Sequence, residues 1–466
     1  MELTSLAALA VSLVLFVWIG LRAARSASGT LDDYLTARHT QGASALGLSF
    51  MASGMGAWIL FAPPEVGAFV GPIAVAGYAI GAALPFVVLA WCGRGVRRHL
   101  PHGRSIAEFA GLRYGLGVRR WVALLAVAYM LVFLTAELTA IGAIAAMLGG
   151  LPPAVAVIGV ALATLVYTAW GGLRASLVTD RWQAWLLLAL LLLIGGAVLM
   201  RAPQIAFEQP PPMAPTGNAL AVALTLIIAV TAANLFHQGY WQRLWAARDT
   251  RALDAGAAIG AVATVAVVML AGALGMLAVM AGTELGQPPL PFFALLADAP
   301  AWLTLVVLVL AVALVASSVD TLLNGIASLA VNERAGMTLN SARWLTVLLM
   351  LPVVLVSLQG YSVLRLFLIA DLLCATAVVP LLLGLWRRAS ATSAIAGSAA
   401  GLVGAVLPGW VAQGSFSAGV LAATFPGGIP TLAPFAGALL ASTVVSVTVA
   451  LLWPRRDAAP TLGAAA

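Results

Sequence analysis

One apolar segment, residues 300–332, carries a stripe of oxygen-bearing side chains. Ser317, Asp320, Thr321, Asn324 and Ser328 are spaced i, i+3, i+4, i+7 and i+11, which places them on one face of a helix. Hydroxyl and carboxylate oxygens are hard ligands that suit a small cation. Serine and threonine also bond to their own helix backbone or pack as small residues, but this alternative explains Asp320 poorly. The stripe predicts a cation site that faces protein or water rather than lipid.

Four further acids, Glu65, Glu137, Asp180 and Asp371, lie within or at the ends of apolar segments. A charged residue at the centre of a membrane helix costs roughly 2.5–3.5 kcal/mol, so several such acids indicate a function. Three roles stay open for Glu137: carrying a proton or cation, contacting a substrate, or forming a buried hydrogen bond as a neutral acid. His237, near a helix break, either binds substrate or caps backbone, and capping is slightly favoured.

Two apolar segments contain helix breakers at matching positions. The first reads Ser49-Phe-Met-Ala-Ser-Gly-Met-Gly-Ala57 and precedes two prolines, and the second ends Asn234-Leu-Phe-His-Gln-Gly-Tyr240. Glycine loosens a helix, so backbone carbonyls there can coordinate a cation, although glycine also allows close helix packing. Each segment opens a run of five apolar segments, and because five is odd the two runs have opposite orientation. Broken helices at matching positions of inverted repeats predict a transporter site near the membrane midplane.

The composition of the whole chain identifies the environment of these residues. Of 466 residues, 62% are hydrophobic and 8% are charged, whereas a soluble domain carries roughly 25% charged residues. Soluble enzymes, nucleic-acid binders and disordered scaffolds are therefore excluded. The chain contains no lysine, so it has no phosphate-binding loop and is not expected to use ATP by itself. We interpret the two cysteines, Cys92 and Cys374, as packing residues.

We predict an all-α polytopic membrane protein with thirteen transmembrane helices and one membrane transport domain. Residues 43–201 and 217–386 would form a 5+5 inverted-repeat core with discontinuous first helices, 3–22 an extra N-terminal helix, and 391–453 two extra C-terminal helices. Spans of about 20 apolar residues are predicted at 3–22, 43–70, 72–96, 119–148, 153–176, 179–201, 217–241, 253–282, 300–332, 342–360, 362–386, 391–413 and 432–453.

Arginine placement predicts the orientation of these spans. With the N-terminus outside, 21 of the 23 arginines fall in inner loops or at inner helix ends, Arg243 among them, and only Arg201 and Arg365 lie outside. Cytoplasmic loops carry such an excess of cations, so we expect a cytoplasmic C-terminus. The only charge before the first span is Glu2, whereas a cleaved signal peptide begins with basic residues.

Four sequence motifs support a family resemblance. They are Tyr167-Thr-Ala-Trp-Gly-Gly-Leu-Arg-Ala-Ser-Leu-Val-Thr-Asp-Arg-Trp-Gln183, Gln242-Arg-Leu-Trp-Ala-Ala247, Ala316-Ser-Ser-Val-Asp-Thr-Leu-Leu-Asn324 and Leu31-Asp-Asp-Tyr-Leu-Thr-Ala-Arg38. Together they resemble the sodium:solute symporter family, and the chain is similar in size and topology to its bacterial proline and amino-acid symporters. The resemblance covers nearly the whole chain. It implies a multi-pass protein of the bacterial inner (plasma) membrane.

The resemblance also implies cation sites. The carbonyls of Ala52, Met55 and Leu314 and the hydroxyls of Ser317 and Ser318 would bind one sodium ion as the coupling ion. Asp180, Asp320 and Thr321 would form a second site, for a cation or a proton, because Asp320 and Thr321 stand where relatives carry hydroxyls. No covalent cofactor, nucleic acid or obligate protein partner is expected beyond the solute, Na⁺ and the bilayer.

The same comparison places a substrate pocket between the two broken helices. Its predicted residues are Gly54, Trp58, Glu137, His237, Gln238 and Tyr240. A sugar is disfavoured because the chain has no lysine, and a small amino acid such as proline, or an amine-bearing solute, is favoured. Outer closure is expected near Trp58 and Glu65, and inner release near Tyr240 or Trp241.

These observations favour a sodium-coupled symporter that works by alternating access and is not an enzyme. Proton coupling in the same fold is one alternative. A transporter-like membrane sensor is another, although sensors usually append a signalling domain and this chain ends soon after its last helix. A channel is disfavoured by the inverted broken helices, and a membrane enzyme by the lack of a catalytic cluster in interfacial loops.

Overall fold

The computed structural model describes residues 2–25, 29–201, 209–286, 289–297, 299–333, 337–359, 363–425 and 431–455. Within these ranges all regular structure is helical, apart from one isolated bridge between Gln41 and Ala247. The first half of the chain forms α1 Glu2–Ala24, α2 Leu31–Thr36, α3 Ala43–Gly54, α4 Ala62–Phe69, α5 Pro72–His99, α6 Ile106–Tyr114, α7 Leu116–Gly149 and α8 Pro153–Arg201.

The first predicted helix break is present. A 3₁₀ turn over Ala57–Leu60 joins α3 to α4, and the chain bends by 67° between Ala43–Gly54 and Ala57–Phe69. Met55 at the end of α3 is extended, with φ −97° and ψ 92°, so the helical hydrogen-bond ladder is interrupted there. Two glycines flank Met55, and this local sequence is what permits the interruption.

The kink in α8 lies earlier than the sequence predicted. The predicted boundary fell between 176 and 179, but the non-helical residue is Gly172, with φ +55° and ψ −145°. A Cβ at this position would lie 2.4 Å from the carbonyl oxygen of Tyr34 in α2. Only glycine satisfies both the positive φ and the close approach of α2, so the position of the break follows from tertiary packing that periodicity does not reveal.

The second half of the chain repeats the broken-helix pattern. It forms α9 Thr216–Leu235, α10 Gln238–Ala246, α11 Thr250–Met280, α12 Pro291–Ala294, α13 Ala301–Glu333, α14 Leu339–Ser357, α15 Val363–Ala375, α16 Val378–Leu382, α17 Ala391–Gln413, α18 Phe416–Ala422 and α19 Leu432–Leu452. The predicted second break separates α9 from α10. A further bend of 46°, between Phe367–Ala375 and Val378–Leu385, was not predicted.

The predicted number of spans agrees with the structure. Among the described residues, ten helices are long and apolar enough to cross a membrane, and each of the two bent pairs adds one span. The kink at Gly172 divides α8 into two helices. Counting these two separately gives thirteen spans. The all-α polytopic fold is thereby confirmed.

The polar stripe lies on α13, which with α7 is the most enclosed of the described long helices. α13 packs against α7 and α8, while α11 packs against α3, α4 and α5. In contrast, α1, α17 and α19 lie at the periphery, where much of their surface remains exposed. Ser317, Asp320, Thr321, Asn324 and Ser328 are all buried, so the stripe faces protein, as predicted.

Candidate functional site

A cluster of buried polar side chains joins α3, α8, α10 and α13. The Asp180 carboxylate of α8 accepts hydrogen bonds from Ser49 Oγ at 2.6 Å and from Ser317 Oγ at 2.7 Å. It also forms an ion pair with Arg243, whose Nη2 lies 2.6 Å from Asp180 Oδ2. Asp180 and Arg243 are both fully buried. We call the set Ser49, Asp180, Arg243, Ser317 and Asp320 the carboxylate cluster.

Arg243 lies in the last turn of α10, so it is at a helix end as the sequence analysis counted it. Its burial was not predicted: the side chain is 0% exposed. It donates to Ser49 Oγ at 2.8 Å, to the Gly239 carbonyl at 2.7 Å and to Thr321 Oγ1 at 3.2 Å. A buried arginine requires an acidic partner. Here that partner is Asp180, which lies in the sequence motif that ends at Gln183. The guanidinium occupies a position beside Asp180 where a second cation was expected.

Asp320 is surrounded by hydroxyl groups rather than by a basic side chain. Its carboxylate accepts hydrogen bonds from Tyr167 Oη at 2.7 Å, Ser176 Oγ at 2.6 Å, Thr179 Oγ1 at 3.2 Å and Thr321 Oγ1 at 3.3 Å. Thr321 therefore links the Asp320 carboxylate to the Arg243 guanidinium. The cluster thus contains two acids and one guanidinium, which pairs with Asp180. A proton or another cation would balance the charge of Asp320.

The residues predicted to bind sodium lie on two helices that pack together, α3 and α13. Ser318 Oγ on α13 is fully buried and has no hydrogen-bond partner among the described atoms. Ser317 donates its hydroxyl proton to Asp180, but its oxygen lone pairs remain available to a cation. Ala52 and Met55 lie at the end of α3, where the helix is interrupted, and α3 packs against α13, the helix that carries Leu314. Neutral hard oxygens of this kind suit a monovalent cation.

A cavity of about 600 Å³ lies on the other side of the first break. It is enclosed by α4, α5, α7, α9 and α15, and it reaches the end of α4 at Phe69 and Val70. Its lining includes two acids, Glu65 and Asp371, and one amide, Asn234, but no basic residue among those described. Most of the remaining lining is aliphatic or aromatic, so a cation inside this cavity would face two carboxylates within apolar walls.

Aromatic rings form part of the cavity wall. Trp58 stacks on Tyr78 with ring centroids 5.4 Å apart, and Phe133 meets Phe367 edge-on at 4.8 Å. The Trp58 indole N–H donates to the Gly54 carbonyl at 3.0 Å, which fixes the ring across the break. Aromatic faces attract organic cations. The sequence analysis noted Asp371 as a membrane acid but gave it no role, because nothing in the sequence placed α15 beside α4.

The other predicted substrate residues do not line this cavity. His237, at the second break, stacks on Tyr240 with centroids 4.7 Å apart, and neither ring nitrogen has a described partner. The Tyr240 hydroxyl packs so closely on Gly54 that a Cβ there would lie 2.0 Å from it. Gln238 is engaged elsewhere: it accepts from the Ile106 N–H and donates to the Arg104 carbonyl. Of the six, Trp58 lines the cavity directly.

Arg97 at the end of α5 and the loops that carry Arg38, Arg104 and Arg248 lie at the opposite end of the bundle, which we call the arginine-rich side. There the Asp32 carboxylate pairs with Arg38 at 2.9 Å and with Arg104 at 3.1 Å. Burial alone would raise the pKa of Asp32, but hydrogen bonds and charges from both guanidinium groups lower it below its ordinary value.

The arginine-rich side is closed by further hydrogen bonds. The Arg104 carbonyl accepts from Gln238 Nε2 at 2.7 Å and from Ser328 Oγ at 2.9 Å. Of the predicted gating residues, Glu65 lines the cavity, whereas Trp241 is fully buried and donates its indole N–H to the Leu235 carbonyl at 2.8 Å. The Arg104 carbonyl thus ties its loop to α10 and α13 on the arginine-rich side, away from the cavity that Glu65 lines.

Known proteins similar to this chain are transporters. The spermidine transporter DUR31 of Candida albicans is 29% identical over 376 residues, which cover 76% of this chain and 69% of that protein. A Na⁺-coupled sialic acid symporter in a substrate-bound outward-open state has a TM-score of 0.73 at 16% identity, covering 97% of this chain and 99% of the other. Mhp1, a nucleobase-cation-symport-1 family transporter, has a TM-score of 0.59 at 15% identity, covering 91% and 96%. No protein-family profile matches the chain.

These similarities confirm the fold of an inverted-repeat transporter and a transport function rather than catalysis. The broken helices and the cavity beside them lie where such transporters bind their solutes. The chain is therefore a multi-span transporter by its fold and by its sequence similarity. The resemblance to the sodium:solute symporter family agrees with the shared fold, but membership in that family is not established.

Proposed function

We propose that this chain is a sodium-coupled symporter that imports a small organic amine by alternating access. The observation that carries the proposal is the cavity in which Glu65 and Asp371 face an apolar, aromatic interior without a basic side chain among its described lining. Such a site stabilises a positive charge through its carboxylates and ring faces. The spermidine transport of the Candida relative supports an amine over the amino acid that the sequence favoured.

The proposed transport cycle begins with solute entry through the cavity. The amine pairs with Asp371 and Glu65 and packs on Trp58, while sodium binds Ala52, Met55, Leu314, Ser317 and Ser318. Closure over Trp58 and Glu65, followed by opening of the arginine-rich side near Tyr240 and Trp241, would release both. Coupling requires that the two ligands bind the two conformations with different affinities.

The available driving force is sufficient for accumulation. One sodium ion crossing 100 mV contributes about 2.3 kcal/mol, and a tenfold gradient adds about 1.4 kcal/mol. Together these would support accumulation of a neutral solute by several hundredfold, and each positive charge on an amine adds a further contribution from the membrane potential. We place the protein in a bacterial inner membrane with its N-terminus outside, as the arginine distribution suggests, and with repeats at 43–201 and 217–386.

Proton coupling is the second candidate, and one observation favours it. Asp180 has Arg243 as a counter-ion, but Asp320 has only hydroxyl partners among the described groups. A carboxylate in that position either binds a cation or takes up a proton. Under this alternative Asp320 would carry the coupling proton, with Thr321 linking it to the guanidinium.

Transport into proteoliposomes tests both candidates. Labelled spermidine, putrescine and proline are supplied with an inward sodium gradient, with choline in its place, and with a pH gradient alone. We expect amine uptake that requires sodium, and competition by unlabelled amine but not by proline. Uptake that proceeds equally in choline and follows only the pH gradient would establish the proton alternative. Proline uptake that amines do not inhibit would contradict the amine assignment.

Neutralising the cavity acids gives a sharper measurement. Charge-assisted contacts contribute about 1.5–3 kcal/mol each, so Asp371→Asn and Glu65→Gln should each weaken amine binding roughly tenfold or more. Asp254→Asn is the matched control, because Asp254 pairs with Arg94 on the exposed arginine-rich side at 2.5 Å, away from the cavity. Unchanged amine affinity in both cavity variants would show that the acids do not bind substrate.

A further inference from the structure

Glu137 of α7 reaches the first helix break. The residue is 1% exposed, and its Oε2 accepts a hydrogen bond from the backbone N–H of Ala57 at 2.7 Å. Ala57 is the first residue of the segment Ala57–Phe69, which follows the 67° bend. The carboxylate of a side chain therefore binds the backbone amide that begins the second half of the broken helix.

Backbone amides at such breaks are anion sites. The N–H groups at the start of a helix have no carbonyl partner one turn earlier, and in inverted-repeat transporters half-helix N-termini point at anionic groups of the substrate. In this chain the anion at the Ala57 amide comes from the protein itself. The amide that could bind the carboxylate of a solute is already engaged by Glu137.

The chain around the break leaves space for this carboxylate. Glu137 Oε1 is buried, has no hydrogen-bond partner among the described atoms, and is directed at Gly56. A Cβ at Gly56 would lie 1.9 Å from Oε1, so any larger residue there would displace the acid. Glu137 and Gly56 therefore form one complementary unit, with a carboxylate on α7 and an open backbone at the break.

The charges around the break would also oppose a solute carboxylate. Glu65 and Asp371 line the neighbouring cavity, and Trp58, the residue after Ala57, lies in its wall. A solute carboxylate near the break would meet three acids, and no basic residue is present among the described lining of the cavity. An amine without a carboxylate meets no such repulsion.

We propose that Glu137 is a specificity-determining residue that occupies the anion site of the first break and so selects amines that lack a carboxylate. This inference rests on the proposed amine transport and deepens it, because it states which part of the solute the protein supplies itself. Proline and other amino acids are excluded by the occupied amide, not by the size of the cavity.

Putrescine and ornithine form a matched probe pair, because the two molecules share the four-carbon diamine and differ by one carboxylate. Binding is measured as displacement of labelled putrescine from the full-length protein in detergent. The wild type should prefer putrescine by at least tenfold. Glu137→Ala, which frees the Ala57 amide and removes a negative charge, should reduce this preference at least tenfold through a gain in ornithine binding.

Glu137→Gln separates occupation of the amide from charge. Its side-chain oxygen still accepts from Ala57 but the negative charge is gone, so this variant should bind ornithine better than the wild type and less well than Glu137→Ala. Thr135→Val is the control on the same helix, because among the described residues Thr135 Oγ1 bonds only to the Leu131 carbonyl, and its preference should equal that of the wild type. Melting temperatures establish that each variant is folded, and the Gln variant retains the test if the Ala variant does not fold.

The outcomes distinguish this inference from the proposed function. If the wild type binds putrescine but Glu137→Ala and Glu137→Gln both keep its preference, Glu137 only fastens α7 to the break and the inference is wrong. If the wild type binds no amine at all, the proposed function fails and the inference fails with it. A gain of ornithine binding in Thr135→Val as well would show a general loosening of the site and would also overturn the inference.

Discussion

The ion pair of Asp180 and Arg243 is the strongest constraint at the scale of single residues. Both groups are fully buried, and their further hydrogen bonds go to Ser49, Ser317, Thr321 and the Gly239 carbonyl. Removing one partner of such a pair leaves an uncompensated buried charge, which typically costs 3–5 kcal/mol. We expect Arg243→Met to lower the free energy of unfolding by about that amount, measured by denaturation in a mild detergent.

The same experiment has an exposed control and a rescue variant. Arg94 pairs with Asp254 at 2.5 Å, but the two side chains are 45% and 33% exposed, so Arg94→Met should cost no more than about 1 kcal/mol. Combining Arg243→Met with Asp180→Asn removes the uncompensated charge and should recover part of the loss. Equal losses for Arg94→Met and Arg243→Met would show that burial does not set the strength of the pair.

Ser318 gives a second prediction for a single residue. Its hydroxyl is buried without a described partner, so Ser318→Ala removes a proposed sodium ligand without breaking any hydrogen bond seen in the structure. The sodium concentration for half-maximal uptake should rise at least tenfold in this variant, while its melting temperature stays close to that of the wild type. Ser442→Ala in peripheral α19 is the control. An unchanged sodium dependence in Ser318→Ala would remove this residue from the site.

Close glycine contacts determine how the broken helix packs as an element. A Cβ at Gly275 of α11 would lie 1.9 Å from the Pro64 carbonyl oxygen of α4, and one at Gly67 would lie 2.1 Å from the Gly272 carbonyl oxygen. Backbone cannot retreat as a flexible side chain can, so α4 and α11 must separate if either glycine is replaced. The cavity wall formed by α4 depends on this contact.

We therefore expect Gly275→Ala to displace α4 and reduce amine uptake at least fivefold. Gly196→Ala is the matched control, because nothing lies within 4 Å of a Cβ at Gly196 in α8, and it should transport normally. Uptake assays on equal amounts of reconstituted protein measure the difference. Normal uptake by Gly275→Ala would show that α4 tolerates the shift and that the close packing is not needed for the cavity.

The sequence predicted the elements better than their contacts. Spans and the two breaks could be read because apolar length and glycine content act locally. The polar stripe on α13 could be read from its helical period, and it is buried as expected. Arg243 could not be placed in this way, since its contacts with Ser49 and Asp180 join residues 194 and 63 positions apart. The kink at Gly172 and the position of Asp371 in the cavity were not predicted for the same reason: each depends on a neighbour that is distant in sequence.

At the scale of the whole molecule, the cavity and the arginine-rich side would form the two ends of the proposed transport path. The cavity contains Glu65 and Asp371, while the other end is closed by Asp32 with Arg38 and Arg104. Gln238 joins the second break to the arginine-rich side: it follows the break directly and donates to the Arg104 carbonyl. The Asp32–Arg104 ion pair joins α2 to the loop after α5, so we expect opening of the arginine-rich side to break it and the charge of Asp32 to influence which conformation is populated.

The charge of Asp32 leads to a pH-dependent prediction. Its pKa is lowered in the closed conformation by Arg38 and Arg104, which outweigh the opposing effect of burial. The ion pairs therefore favour closure above the ordinary pKa of an aspartate, and that preference is lost as the pH falls through the lowered pKa.

Hydrogen exchange of residues 100–106 in the wild type and in Asp32→Asn, compared at each pH, measures the effect. At neutral pH the variant should exchange faster, and at the lowest pH the two should converge. Asp254→Asn should match the wild type throughout, and a difference between Asp32→Asn and the wild type that persists at the lowest pH would show that Asp32 does not act through its charge.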